Sequence, residues 1–288
     1  MHTADLITGN RMVACCDILG FKKLVKSKPA LELVHGELAR FHELLIFCLT
    51  QKWEDRKDLA QLRRLLRGQK RVGIAWFSDT YLIYGIDDDE DSCYNVIVTV
   101  AWLLGVTIQT STPVRAGVAY GEFSRCPKNE LYVGKALVEA YEWEQCQEWV
   151  GGALSPTAAK KSPRDKQGQK EWGLKLYDKV PLKTKTAASS SYPTKECEGC
   201  EKLPKTQFAV SPWFKTLALD WTWIDHDRET CDRQIELAKL CARDAANDGN
   251  RERAQSIVRK WENTSRFHVE TCDSCFPGNK QREHHTTR

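Results

Sequence analysis

The stretch MVACCDILGF, residues 12 to 21, sets the first constraint on the fold. An apolar run suited to a buried strand ends in a carboxylate, Asp17, and Gly20 follows three residues later. An ionised carboxylate left unpaired in apolar surroundings costs several kcal/mol or takes up a proton. A fold that buries this strand must therefore bring Asp17 a cation or another partner.

The rest of the chain supplies elements to build around that strand. PALELVHGELARFHELLIFCLTQKW has apolar residues at helical spacing, with Gly36 as its one weak point. VGIAWFSDTYLIYG reads as two short strands joined by a tight turn at Ser78-Asp79. DDDEDSCYNVIVTVAWLLGVTIQT opens with acids, which favour a helix N-terminus, and continues as a nearly all-apolar helix. PVRAGVAYGEF and LYVG read as strands, KALVEAYEWEQCQEW as a helix, and GGALSP and LKLYDKVPL as closing strands. This order predicts an α+β sandwich, with helices packed on one face of a mainly antiparallel sheet. The basic stretches PTAAKKSPRDKQGQK and KTKTAASSSYPTK read as loops. A core over 10–182 is expected, followed by a mainly helical extension over 183–288 that holds TLALDWTWID, RQIELAKLCARDA and RERAQSIVRKWEN.

Composition narrows the function. With 41% hydrophobic residues in 288, the chain can bury a proper core. Its 43 basic and 39 acidic side chains leave a net charge of only +4, which does not point to nucleic acid or a membrane but leaves a phosphate-bearing small ligand open. The longest apolar run, VIVTVAWLLGV, falls short of the roughly 20 residues a bilayer needs, and no apolar leader opens the chain; a cytoplasmic protein is expected. Twelve cysteines in a reducing compartment imply free thiols or metal ligands rather than disulfides. Cys15, Cys16, Cys48, Cys93 and Cys146 sit in apolar or helical contexts as small buried hydrophobes. The pairs Cys197/Cys200 and Cys272/Cys275 have the ligand count and local spacing of a structural zinc site, against the plainer reading of four unconnected surface thiols. His284 and His285, in a polar tail, point to nothing specific.

Asp79, at the hairpin turn, is the candidate companion of Asp17. If the first strand lies beside the hairpin, both carboxylates reach one sheet edge, where a hard divalent cation with oxygen ligands, Mg2+ or Mn2+, relieves their repulsion. The plainer reading makes Asp79 an ordinary turn residue. Gly20 allows close backbone approach, and N–H groups where Ile18 to Phe21 lead into a helix can hold a polyphosphate. Arg115, mid-strand among apolar residues, needs a buried acid such as Glu122 or else a phosphate; Lys135, beside Gly134, is a second phosphate candidate. Trp76, Phe77 and Tyr81 flank Asp79 on alternating faces and serve as core or as a stacking platform for a base.

DILGF, FSDTYLIY, VRAGVAYGE and YVGKALVEAYEWE, in this order, resemble the catalytic core of class III nucleotidyl cyclases over roughly residues 10 to 182. The resemblance implies two divalent ions held by Asp17, Asp79 and the carbonyl of Ile18, and an active site formed across a homodimer. It implies attack of the ribose 3′-hydroxyl on the α-phosphorus, loss of pyrophosphate and a cyclic mononucleotide product. Catalytic roles fall on Asp17, Asp79 and Arg115, and nucleotide contacts on Ile18, Gly20, Phe21, Ala75, Phe77, Leu131 and Lys135. Ala75 and Leu131 stand where purine cyclases carry polar base selectors, and Val138 and Glu142 where the family has an asparagine and an arginine. In these departures the chain is similar to the pyrimidine cyclases of bacterial Pycsar antiphage defence. That similarity implies conversion of UTP to cyclic UMP, or of CTP to cyclic CMP, as a second messenger for a separate effector protein. The rival expectation is a degenerate domain that binds nucleotide and signals without turnover, which Val138 and Glu142 favour.

Overall fold

The computed structural model describes residues 7–21, 25, 72–109, 113–126, 130–172, 174–181, 213–219, scattered positions within 232–247, and 251–275. The described elements are β1 (Ile7–Ile18), β2 (Val72–Phe77), β3 (Thr80–Gly85), α1 (Glu90–Gln109), β4 (Val114–Cys126), β5 (Leu131–Val133) and α2 (Lys135–Cys146). They continue with β6 (Gly151–Leu154), α3 (Pro156–Lys161), α4 (Lys166–Glu171), β7 (Leu174–Pro181), β8 (Trp213–Leu219) and α5 (Arg251–Cys275). The strands form one 8-stranded sheet in the order β2-β3-β1-β4-β6-β8-β7, with β5 added on β4. Every pairing is antiparallel except β4 with β6. The expected α+β architecture with an antiparallel-rich sheet is the observed one.

Side chains alternate along a strand, so β1 serves two interiors at once. Met12, Ala14, Cys16 and Ile18 join Tyr81, Ile83, Ala116 and Val118 under the apolar body of α1, including Val96, Ile97, Val100 and Leu104. The acids before α1 work as anticipated: the Ser92 N–H donates to the Asp89 carboxylate at 2.7 Å, and Glu90 and Asp91 occupy the first turn. On the other face Val13 and Cys15 pack with Leu82, Tyr84, Ala119 and Phe123 against Ala136 and Ala140 of α2. Gly117 makes that approach possible, because a Cβ there would lie 2.3 Å from the Ala140 carbonyl oxygen. Helices therefore cover both faces, not one. The run MVACC is apolar at consecutive positions rather than alternate ones, which is the pattern of a strand buried on both sides.

PTAAKKSPRDKQGQK also departs from expectation, since it contains α3 and α4 instead of a loop. Ser155 and Asp165 cap them, the Gly168 N–H donating to the Asp165 carboxylate at 2.8 Å, and Pro156 opens α3. Two good caps outweigh a basic, low-complexity composition. Further on, β8 inserts between β6 and β7. Helix α5 sends Trp261 and Phe267 into the large core, Phe267 standing edge-on to Trp149 and Tyr177 at 5.1 and 4.8 Å. The Val150 N–H donates to the Thr264 hydroxyl and the Asn263 amide donates to the Glu148 carbonyl, each at 2.8 Å. Residues 213–219 and 251–275, anticipated within an appended extension, thus share the sheet and core of the residues before them. The helix expected over 29–53 and the stretch KTKTAASSSYPTK lie outside the described residues. Cys15, Cys16, Cys93 and Cys146 are buried thiols outside any disulfide, as is Cys126, and burial pushes the Cys15 thiol up to about 12. No helix among the described residues is long and apolar enough to cross a membrane.

Candidate functional site

The end of β1 meets the β2–β3 turn. Asp17 lies opposite Thr80 on β3, and the Ile18 N–H donates to the Asp79 carbonyl at 2.9 Å. Ser78 takes the left-handed conformation (φ 57°) that a two-residue hairpin loop asks of its first residue. The Trp76 indole N–H donates to the Ser78 carbonyl at 2.6 Å. Asp17 is pushed up to about 6, mainly by burial, then by the Glu144 carboxylate and, more weakly, by that of Asp79, while Arg115 and Lys260 pull it down. The Ile18 hydrogen bond thus brings residue 79 beside the end of β1, where its carboxylate adds to the upward push on Asp17.

Arg115 sits directly opposite Asp17 on β4 and is 3% exposed. Its Nε donates to Glu144 Oε1 at 2.5 Å, its Nη2 forms an ion pair with the same oxygen, and its Nη1 donates to the Gln147 carbonyl at 3.0 Å. Nη2 stands 3.9 Å from Asp17 Oδ2. The anticipated partner, Glu122, lies seven residues further along β4 and instead pairs with Lys135 at 3.2 Å, both side chains exposed. Sequence reasoning passed over Glu144. Its signal was present: Ala136, Ala140 and Glu144 recur at four-residue spacing and share the buried side of α2.

The remaining candidates divide between the faces. Ala75 belongs to the α2-side cluster with Cys15 and Leu82, and Phe77, two residues on, is exposed on that side. The Phe77 ring stands edge-on to Tyr132 of β5 at 5.9 Å, which brings β5, with exposed Leu131, toward the same face. Gly20 is left-handed (φ 84°), and no described atom lies within 4 Å of where a side chain would project. Trp76 and Tyr81 stack at 5.6 Å on the α1 side, Tyr81 fully buried in that core and half-buried Trp76 and Phe21 packed against it. Val138 and Tyr141 are exposed on α2.

Among the described residues no group of three or more His, Cys, Asp or Glu is placed to hold a metal ion. The donors at the β1 end are two carboxylates and backbone carbonyls, an all-oxygen set that fits a hard divalent cation whose other positions go to water or phosphate. Of the four cysteines considered for zinc, Cys197 and Cys200 lie outside the described residues, and Cys272 and Cys275 belong to the last turn of α5.

No family model matches the chain, and no curated protein matches it. Among solved structures it is similar to the catalytic core of a rhodopsin-guanylyl cyclase with converted specificity in complex with ATPαS, at 12% identity and TM-score 0.44, over 74% of this chain and 95% of that one. It is similar to the adenylyl cyclase CyaB from P. aeruginosa at 13% identity and TM-score 0.39, over 62% and 88% of the two chains. A class III adenylyl cyclase-like ATP-binding protein from Pseudomonas aeruginosa aligns at 11% identity and TM-score 0.35, over 55% and 36%.

Proposed function

We propose that the chain is a pyrimidine nucleotide cyclase that converts UTP, ahead of CTP, to a 3′,5′-cyclic mononucleotide and pyrophosphate. The observation that carries this reading is the meeting of Asp17 and Asp79 at the junction of β1 and the hairpin. It occurs within the motifs whose order resembles a nucleotidyl cyclase core. Mg2+ or Mn2+ at Asp17, Asp79 and the Ile18 carbonyl, two ions by the resemblance, would supply charge for the polyphosphate and acidify the attacking hydroxyl. Gly20, with no side chain and no described atom within 4 Å of a Cβ position, lets phosphate approach the backbone after β1. Exposed Phe77 offers a ring on which a base can stack. Ala75 and Leu131 present no hydrogen-bonding group, so the polar edge of a purine gains nothing from them. Arg115, bound by Glu144, acts on Asp17 rather than on phosphate; Lys135, paired with Glu122, is the weaker phosphate candidate.

Exposed Phe77, Leu131, Val133, Val138 and Tyr141, carried by β2, β5 and α2, support a homodimer that covers this apolar surface. A cytoplasmic second messenger that acts on a separate effector in antiphage defence rests on the Pycsar likeness alone. The second reading, nucleotide binding without turnover, is favoured by Val138 and Glu142. Incubating the pure protein with each of the four NTPs and Mn2+, then separating products, tests both. Cyclic UMP or cyclic CMP is expected. A profile dominated by cyclic AMP or cyclic GMP overturns the pyrimidine assignment, and binding without product selects the second reading. A zinc clasp through Cys197, Cys200, Cys272 and Cys275 belongs to the proposal as a structural element, checked by elemental analysis for about one zinc per chain.

A further inference from the structure

Asp17 and Arg115 are directly opposed across two antiparallel strands. Opposite charges so placed pair by default, and a guanidinium closes on a carboxylate with two parallel hydrogen bonds. Such a pair would occupy the oxygens that a cation needs. Only a long ion pair forms, with Arg115 Nη2 3.9 Å from Asp17 Oδ2, while its Nε and Nη1 are committed at 2.5 Å to Glu144 and 3.0 Å to the Gln147 carbonyl. The socket that holds the guanidinium is itself fixed. Glu144 is fully buried, and its second oxygen accepts from the Gln145 amide at 2.6 Å. The Gln147 amide donates to the Ala116 and Trp143 carbonyls at 2.9 and 2.8 Å, and its oxygen accepts from the Trp149 indole at 2.7 Å. Neutralising Arg115 would need no second acid, because Asp17 is already there.

We propose that Glu144 is a positioning residue that holds Arg115 back from Asp17 and so keeps the Asp17 carboxylate open to a divalent cation. Among the described residues, the charged groups that act on that carboxylate are Asp79 from the hairpin turn, Arg115 from β4, Glu144 from α2 and Lys260 from α5. Three carboxylates, Asp17 included, thus stand against two cations among the described residues, an imbalance that an added cation relieves. Without the Glu144 charge, the guanidinium is released to Asp17 and a binding ion must displace it. This inference rests on the reading of Asp17 as a cation ligand.

The test is Mn2+ binding alone, by titration of the free-ion EPR signal, on the full chain without nucleotide. Glu144→Gln should weaken Mn2+ binding about tenfold or more, and adding Arg115→Met should restore it to within about threefold of the unaltered protein or better. A merely structural role for Glu144 predicts no such recovery. Equal affinity in Glu144→Gln and the unaltered protein overturns the inference while leaving the cation reading standing, and so does a double variant as weak as the single one. An unaltered protein that binds no Mn2+ overturns both. If Glu144→Gln alone does not fold, Arg115→Met/Glu144→Gln, which removes both members of the buried pair together, decides: binding like the unaltered protein supports the inference, and weak binding overturns it.

Discussion

On the α1 face, Met12, Ala14, Cys16 and Ile18 disappear into a large interior of aliphatic and aromatic side chains. On the α2 face, Val13 and Cys15 belong to a small cluster, and Asp17, the next residue on that side, stands 3.9 Å from Arg115, which is paired with Glu144. The strands are the same; only the parity of the residue differs. One interior is largely aliphatic and aromatic and supplies stability, whereas the other, among the described residues, is smaller, carries charge and is edged by exposed Phe77 and Leu131. A one-residue slip of β1 would send Asp17 into the α1 core and lose both, so stability and site demand the same register. The bond from the Ile18 N–H to the Asp79 carbonyl locks that register at the end where it matters.

The difference can be broken from either side. The largest effect belongs to the carboxylates: Asp17→Ala and Asp79→Ala should each lower cyclic nucleotide formation at least about a hundredfold, as loss of a charge-stabilising group does. Neither should lower the melting temperature, since each removes a repelling charge. A variant that keeps near-normal turnover would break the link between the α2 face and chemistry. Next comes the α1 face. Ile97, fully buried on α1, should cost about 2–5 kcal/mol when cut to alanine. Denaturant unfolding should show this loss while Mn2+ affinity of the folded protein stays unchanged.

A smaller effect ties the charged face to pH. Asp17 sits at about 6, above the ordinary carboxylate value, so without a cation the folded protein binds its proton more tightly than the unfolded chain does. The stability this contributes is fully present below about pH 4 and is lost as pH rises through about 6, a difference of about 1–3 kcal/mol. Asp17→Asn should erase that window, leaving the variant more stable than the parent at pH 7 in chelator. Mn2+ should stabilise the parent at pH 7, lose its effect toward pH 5, and do little for the variant. Unfolding curves for the two proteins across pH 4 to 8, with and without ion, check the sign.

Both faces were readable where the signal was local. The apolar run ending in Asp17, the Ser78-Asp79 turn and the acid-capped apolar helix all state their structure within a few residues. From them the meeting of Asp17 with Asp79 followed once β1 was laid beside the hairpin. Glu144 was not picked out, because a glutamate on a helix rich in other acids resembles a solvated side chain; its alignment with Ala136 and Ala140 means something only once Gly117 has let α2 close on β4. Placing β8 between β6 and β7 depends on pairing across a long sequence separation, for which TLALD holds no local mark. The caps Ser155 and Asp165 were present in the sequence but obscured by the lysines around them.

The smallest effect asks whether the faces are separable at the turn they share. Ser78 is a non-glycine residue at φ 57°, where a Cβ crowds the backbone at a cost of about 1–2 kcal/mol. Glycine removes that crowding but gives the unfolded chain more freedom to lose, about 0.4–1 kcal/mol. Ser78→Gly should therefore stabilise the protein by only about 0.5 kcal/mol, a shift of roughly 2 °C in melting temperature. The bond from the Trp76 indole is made to the backbone carbonyl of residue 78, so the α1-side hold on the turn survives the substitution. With that hold intact, Asp79 should keep its place beside Ile18, and Mn2+ affinity should stay within about twofold of the parent. Loss of ion binding without loss of stability would mean that the stiffness of serine at this turn is part of the site. The turn would then couple the two faces rather than merely join them.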